Sequence, residues 1–319
     1  MPLDPTAQRF LDLLAAGRSS ASRELDVATR RDGFRGLLHL AGGPSPAAVA
    51  STDDVIAGPG GPLRLRHYVP PSASNQPGPT LLFMHGGGFY AGSIETHDGI
   101  CRALADASGC RVVAVDYRLA PEHPFPAAIE DGLAAVMALY TNAARWNIDP
   151  SRIAVGGDSV GGNLAAVICQ EWRRLDQPPL AAQLLICPAL DAVGDMPSRQ
   201  LFAKGYYLES DMIADDFACY CPAEADRSEP RLSPLHQRDL SALPPAIIHA
   251  AEFDPFRDEA LRYGELLRAA GVPATVTCHA GMIHLFHAFS RFIPLGATAL
   301  AAMGRELGAL VSGKSPLDR

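Results

Sequence analysis

The chain has 319 residues, 48% hydrophobic and 19% charged, with a formal net charge of -8. That is ordinary globular composition, and a chain of about 300 residues buries roughly 75% of the surface its unfolded form exposes. Lys and Arg never run longer than two, which argues against a phosphate-binding stripe for nucleic acid, and no stretch of about 18 apolar residues offers a membrane span.

The opening MPLDPTAQRFLDLLAAG reads as an amphipathic helix. Asp4, Arg9 and Asp12 interrupt it, whereas a signal peptide has a basic start and an apolar core, so a cytoplasmic protein is expected. Two Pro/Gly/Ser-rich stretches, 41–48 and 70–79, read as loops. From residue 63 short β-type runs alternate with helical patterns. Strands are expected at 63–69, 80–85, 111–117, 152–157, 182–187, 245–251 and 274–279. Helices are expected near 97–108, 126–145, 160–174, 257–270 and 296–311. Several strand runs are continuously apolar, as in strands covered on both faces. The alternation implies an α/β fold, a mostly parallel central sheet flanked by helices on both faces, with ligands bound where the strands end.

The rhythm breaks over 191–225, which is aromatic-rich and shows no strand pattern. This segment and residues 1–50 are read as a helical cap or lid, and 51–190 plus 226–319 as the catalytic domain. The seven cysteines are odd in number and scattered, unlike a disulfide framework. Cys219 and Cys221 form a C-x-C pair lacking the other two ligands of a structural zinc site. No metal and no cofactor are expected.

The strongest local signal is Gly157-Asp158-Ser159-Val160-Gly161, a G-x-S-x-G pattern between a strand and a helix. A nucleophile elbow needs that setting: the tight turn lifts the serine above the sheet edge, and side chains two residues before or after it would collide with its surroundings. The second signal is His85-Gly86-Gly87-Gly88-Phe89 after the strand TLLFMH. Such a loop presents backbone N–H groups to an oxyanion, so Gly87, Gly88 and Val160 are the candidate donors. His85 is read as ordering the loop. The Gly run lacks the Lys-Ser/Thr of a phosphate cradle.

A serine hydroxyl needs a base, and the base an orienting acid, in the chain order Ser, acid, His for this fold. Asp254 follows the strand PAIIHAA and His284 follows the next strand, so both stand at strand ends. Glu252, close to the strand, is expected to contact a loop. Asp258 suits the first turn of a helix. His249 and His279 fall inside strands, and His287 at a helix start. Arg118, Glu122 and His123 are read as support for the oxyanion loop by packing and hydrogen bonds.

Four blocks in this order resemble the hormone-sensitive-lipase-like (bacterial type IV) carboxylesterases of the α/β-hydrolase superfamily: HGGGF at 85–89, DYRLAPEHPFPAA at 116–128, GDSVGGN at 157–163, and EFDPFRDEALRY with GMIHLF at 252–263 and 281–286. The resemblance implies Ser159, Asp254 and His284 as the triad, and Gly87, Gly88 and Val160 as oxyanion donors. It also implies hydrolysis of short-to-medium acyl esters without a cofactor, beneath a helical cap. Val160 stands where the family often has alanine, and Leu285 where glycine usually follows the histidine, which bears on substrate preference. Phe89, Tyr90, Tyr206, Tyr207, Leu285 and Phe286 are candidate pocket walls and could equally be core. Small-molecule esters are the expected substrates, with amidase or formamidase activity and a catalytically silent binding protein as the rival readings. A homodimer is left open.

Overall fold

The computed structural model describes residues 2–17, 26–73, 75–222 and 224–313. Eight strands form one sheet: β1 (Ala50–Gly58), β2 (Gly61–Val69), β3 (Gly78–Met84), β4 (Arg111–Val115), β5 (Ile148–Asp158), β6 (Ala182–Ile186), β7 (Ala246–Phe253) and β8 (Ala274–Ile283). Their order across the sheet is β1-β2-β4-β3-β5-β6-β7-β8. β2 is antiparallel to both β1 and β4, and every other pairing is parallel.

All seven expected strands are present, with ends shifted by a few residues. β1 is an addition that the sequence reading did not foresee. It lies at the sheet edge, has no fully buried position, and carries Asp53 and Asp54 in mid-strand, so it lacks the alternation that marks a half-buried strand. Charges on such an edge discourage pairing with other chains.

The expected helices appear as α3 (Asp98–Ser108), α4 (Ala127–Thr141), the short α5 (Ala143–Trp146), α6 (Val160–Arg174), α9 (Arg257–Ala269) and α10 (Leu295–Val311). α3 packs on α10, while α4 packs on α6, which lies along β5. This two-sided cover explains the apolar runs of the central strands: β4 and β6 are buried at every position. The segments outside the alternation supply α1 (Pro5–Gly17), α2 (Val27–Ala41), α7 (Pro197–Leu201) and α8 (Ser210–Tyr220). Asp26 caps α2 by accepting from the Thr29 N–H at 2.7 Å.

The strand order turns back around β3. β4 lies on one side of it and β5 on the other, so the loops after β3 and β5 leave the sheet side by side. In open α/β sheets a ligand crevice forms at such a reversal. The loops after β6, β7 and β8 follow along the same edge.

Candidate active site

At the end of β5 the chain turns sharply into α6, and Ser159 at the turn has φ 55° and ψ -121°. That conformation is strained for a residue with a side chain, and strain of this kind persists only where neighbours impose it. The neighbours are visible: a Cβ on Gly157 would lie 2.4 Å from the carbonyl oxygens of Met84 and Gly161. A Cβ on Gly161 would lie 2.0 Å from the Met84 oxygen and 2.6 Å from that of His85. The Ser159 N–H donates to the Ile186 carbonyl at 2.8 Å, tying the elbow to β6.

The structure brings Ser159, His284 and Asp254 together from three strand ends. His284 Nε2 is 2.9 Å from Ser159 Oγ, and His284 Nδ1 is 2.7 Å from Asp254 Oδ2. Asp254 Oδ1 accepts the Phe256 N–H at 2.9 Å, which fixes the carboxylate plane. All three residues are buried, Ser159 being 6% exposed. The rivals lie elsewhere. Glu252 accepts the Gly281 N–H at 2.7 Å, and Asp258 accepts the Ser198 N–H at 2.9 Å. His249 and His279 face each other at 2.9 Å across β7 and β8.

Cys187, Asp254 and His284 also offer ligand-type atoms within 4.8 Å of one another. Both ring nitrogens of His284 already have partners, Asp254 and Ser159, so a cation would have to displace them. The donor set fits a proton relay better than a metal site.

The candidate oxyanion loop follows β3. Gly87 and Gly88 have φ 124° and 62°, values open to glycine, and a Cβ on Gly87 would lie 2.3 Å from the Ala91 oxygen. The Gly86 N–H is committed to Asp158 Oδ1 at 3.0 Å, leaving the next two amides of the loop as the candidate donors. Val160, the third candidate, opens α6, whose N-terminal dipole favours negative charge.

Asp158 is a site residue the sequence reading passed over. It is fully buried, and its Oδ2 lies 3.3 Å from His97 Nε2 and 3.6 Å from His287 Nε2. Burial alone would raise its pKa, but the two imidazoles outweigh burial and hold it well below the usual carboxylate range. One carboxylate thus links the elbow, the oxyanion loop, α3 and the segment after His284. Its signal was the acid directly before the serine, a position the G-x-S-x-G pattern leaves unspecified.

His85 stacks on Tyr117 at 4.2 Å, and the Tyr117 hydroxyl donates to the His85 carbonyl at 2.7 Å. In the same tract Arg118 Nε donates to Asp131 at 2.9 Å, and Glu122 pairs with Arg31 at 2.6 Å. From α2, Arg31 also donates to the carbonyls of Tyr90 at 2.6 Å and Ala120 at 2.9 Å. The candidate pocket residues are tightly held. Phe89 stacks on Tyr220 of α8 at 3.8 Å, Tyr207 meets Phe289 edge-on at 5.0 Å, and Phe286 packs on His279 at 4.8 Å. Tyr90 lies under the Arg30 guanidinium at 4.1 Å. Leu285 has φ 58°, a left-handed conformation costing a side-chain-bearing residue about 1–2 kcal/mol.

Burial pushes His85 down to about 3, with His97 adding to the effect, and pushes His279 down to about 4. Both pKa values are lowered on folding, so the unfolded chain takes up protons first. The stability tied to the neutral rings is complete above about pH 6.5 and falls as pH drops below it. From pH 6.5 to 5, His85 alone should remove about 2 kcal/mol at 1.36 kcal/mol per unit. The buried carboxyls of Asp216 and Glu259, both raised on folding, move stability the other way over this range, so the check compares urea unfolding of wild type and His85→Gln at pH 7 and pH 5; a pH dependence unchanged by the substitution would show that His85 is not buried as a neutral ring.

A strained serine on a strand-to-helix elbow, facing an imidazole that faces a carboxylate, defines a serine hydrolase on an α/β scaffold. A family described as alpha/beta hydrolase fold matches residues 81–288. The chain is 39% identical to the esterase LipI of Mycobacterium tuberculosis over 97% of its own length and 94% of the relative's. It is 36% identical to an ethyl acetate hydrolase of Pseudomonas putida, covering 90% and 92%. Among solved structures, an ester hydrolase from the metagenome of Lake Arreo superposes with a TM-score of 0.93 at 40% identity, covering 96% of this chain and 98% of that one. The chain belongs to the hormone-sensitive-lipase-like branch of the α/β-hydrolase family and stands among its serine ester hydrolases.

Proposed function

We propose that the protein is a carboxylesterase acting on short-to-medium acyl esters of small molecules through a Ser159–His284–Asp254 triad and an acyl-enzyme. The observation that carries this reading is the continuous hydrogen-bonded line from Ser159 Oγ through His284 to Asp254. His284 takes the serine proton as Oγ attacks the ester carbonyl, and Asp254 holds the ring tautomer and balances the imidazolium. The amides of Gly87, Gly88 and Val160 receive the developing oxyanion. The alcohol departs with the proton from His284, and a water activated by the same ring then releases the acid. The relatives bearing esterase names support an ester over an amide.

The described parts of 1–50 and 191–225 form the cap in this reading, residues 1, 18–25 and 223 lying outside the described residues. The support is that α2 reaches the oxyanion loop through Arg31, and α8 reaches it through Tyr220 on Phe89. The buried serine and the aromatic surroundings favour small acyl groups. In a p-nitrophenyl ester series, kcat/KM should peak at short acyl chains and fall well before about ten carbons; a maximum beyond that length would contradict a closed pocket. Labelling by a fluorophosphonate probe at Ser159, located by mass spectrometry, tests the nucleophile against a silent binding protein on the same scaffold. Competition between matched esters and amides separates the amidase reading. No helix among the described residues is long and apolar enough to cross a membrane. The seven cysteines are free thiols, which suits a reducing compartment such as the cytoplasm.

A further inference from the structure

The inward face of α8 carries Ile213, Asp216, Phe217 and Tyr220, spaced i, i+3, i+4 and i+7. The other three are buried apolar or aromatic side chains, so a carboxyl in this stripe is out of place for packing alone. Burial pushes Asp216 up to about 8 against the opposing pull of Arg30. The carboxyl rests on the oxyanion loop itself: a Cβ on Gly88 would lie 2.4 Å from Asp216 Oδ2. Its other oxygen, Oδ1, accepts from Arg30 of α2 at 3.2 Å, and the side chain keeps 16% of its surface accessible. No hydrogen bond to Oδ2 exists among the described residues. Arg30 is held over the Tyr90 ring at 4.1 Å, in the same loop.

We propose that Asp216, with Arg30 beside it, is a specificity-determining pair that selects esters bearing a hydroxyl group close to the scissile bond over their plain alkyl counterparts. This rests on the carboxylesterase reading above and names the substrate class of that same site. The pair offers one open acceptor and a cation in a half-buried setting, next to the backbone amides that would hold the ester oxygen. A hydroxyl both donates and accepts, so it can bond to Oδ2 whether the carboxyl is ionised or protonated. A charged substrate group would leave the pair with an uncompensated charge in a low-dielectric site. An all-alkyl substrate would cover Oδ2 and offer it no partner, leaving a buried polar atom unpaired.

The test compares kcat/KM for two matched pairs. Ethyl butyrate against 2-hydroxyethyl butyrate places the hydroxyl on the alcohol side, and ethyl butyrate against ethyl 3-hydroxybutyrate places it on the acyl side. The wild-type enzyme should favour the hydroxylated member of at least one pair by about fivefold, the size expected of one net hydrogen bond. Asp216→Leu should collapse that ratio to about one or invert it. Arg30→Met should lower it several-fold, and it decides the matter if the leucine variant does not fold. Equal wild-type ratios in both pairs, or variants that slow both members of a pair alike, would overturn the proposal and leave Asp216 a structural latch. Wild-type turnover of p-nitrophenyl acetate and fluorophosphonate labelling are read separately. If these fail, the esterase reading has failed; if only the hydroxyl ratio fails, it stands.

Discussion

Ser159→Ala is expected to lower kcat by about 10⁴-fold or more while leaving the unfolding midpoint close to wild type. The size follows from the geometry. The hydroxyl stands on the strained elbow, and His284 Nε2 is already 2.9 Å from it. Removing it leaves the backbone donors in position, so residual hydrolysis would come from binding and oxyanion stabilisation of an external water. Stability should change little, because among the described residues Oγ bonds only to the His284 ring, while alanine keeps the Cβ that the strained turn already accommodates. Steady-state kinetics on p-nitrophenyl acetate, with circular dichroism as the folding control, provide the measurement. Activity within tenfold of wild type would remove Ser159 as the nucleophile.

Gly161→Ala should be the more damaging change to the fold. Its Cβ would sit 2.0 Å from the Met84 oxygen and 2.6 Å from the His85 oxygen, and both obstacles are backbone at the end of β3. A flexible side chain could swing away, but these carbonyls are held by the sheet and by Tyr117, whose hydroxyl bonds to the His85 oxygen. Overpacking of a well-packed site costs typically 1–3 kcal/mol, and a clash with fixed backbone lies at or above the top of that range. We expect a loss of about 3 kcal/mol or more in urea unfolding, with kcat reduced in whatever folds, because relief of the clash pushes the oxyanion loop away from the serine. A stability within about 0.5 kcal/mol of wild type would mean that the elbow and the loop are less tightly opposed than the structure shows.

The parallel strands were legible because burial on both faces leaves an apolar run whatever the register. The edge strand β1 was not, since its side chains answer to solvent. The residues assigned to the triad could be picked out because each follows a strand, and strand ends share one edge in this topology. Asp158 was hidden for the opposite reason. It acts on backbone and on two histidines distant in the chain, His97 and His287, and no spacing announces such a contact. Asp216 was likewise illegible, because an acid in an amphipathic helix looks solvent-facing until the helix is docked. The sheet order β4-β3-β5, which places the oxyanion loop beside the elbow, depends on crossovers that periodicity does not encode.

The grip of Arg31 on the Tyr90 and Ala120 carbonyls ties α2 to the loop that carries the candidate oxyanion donors. A substitution that loosens α2 would therefore be felt as an altered turnover number before it was felt as a melting point.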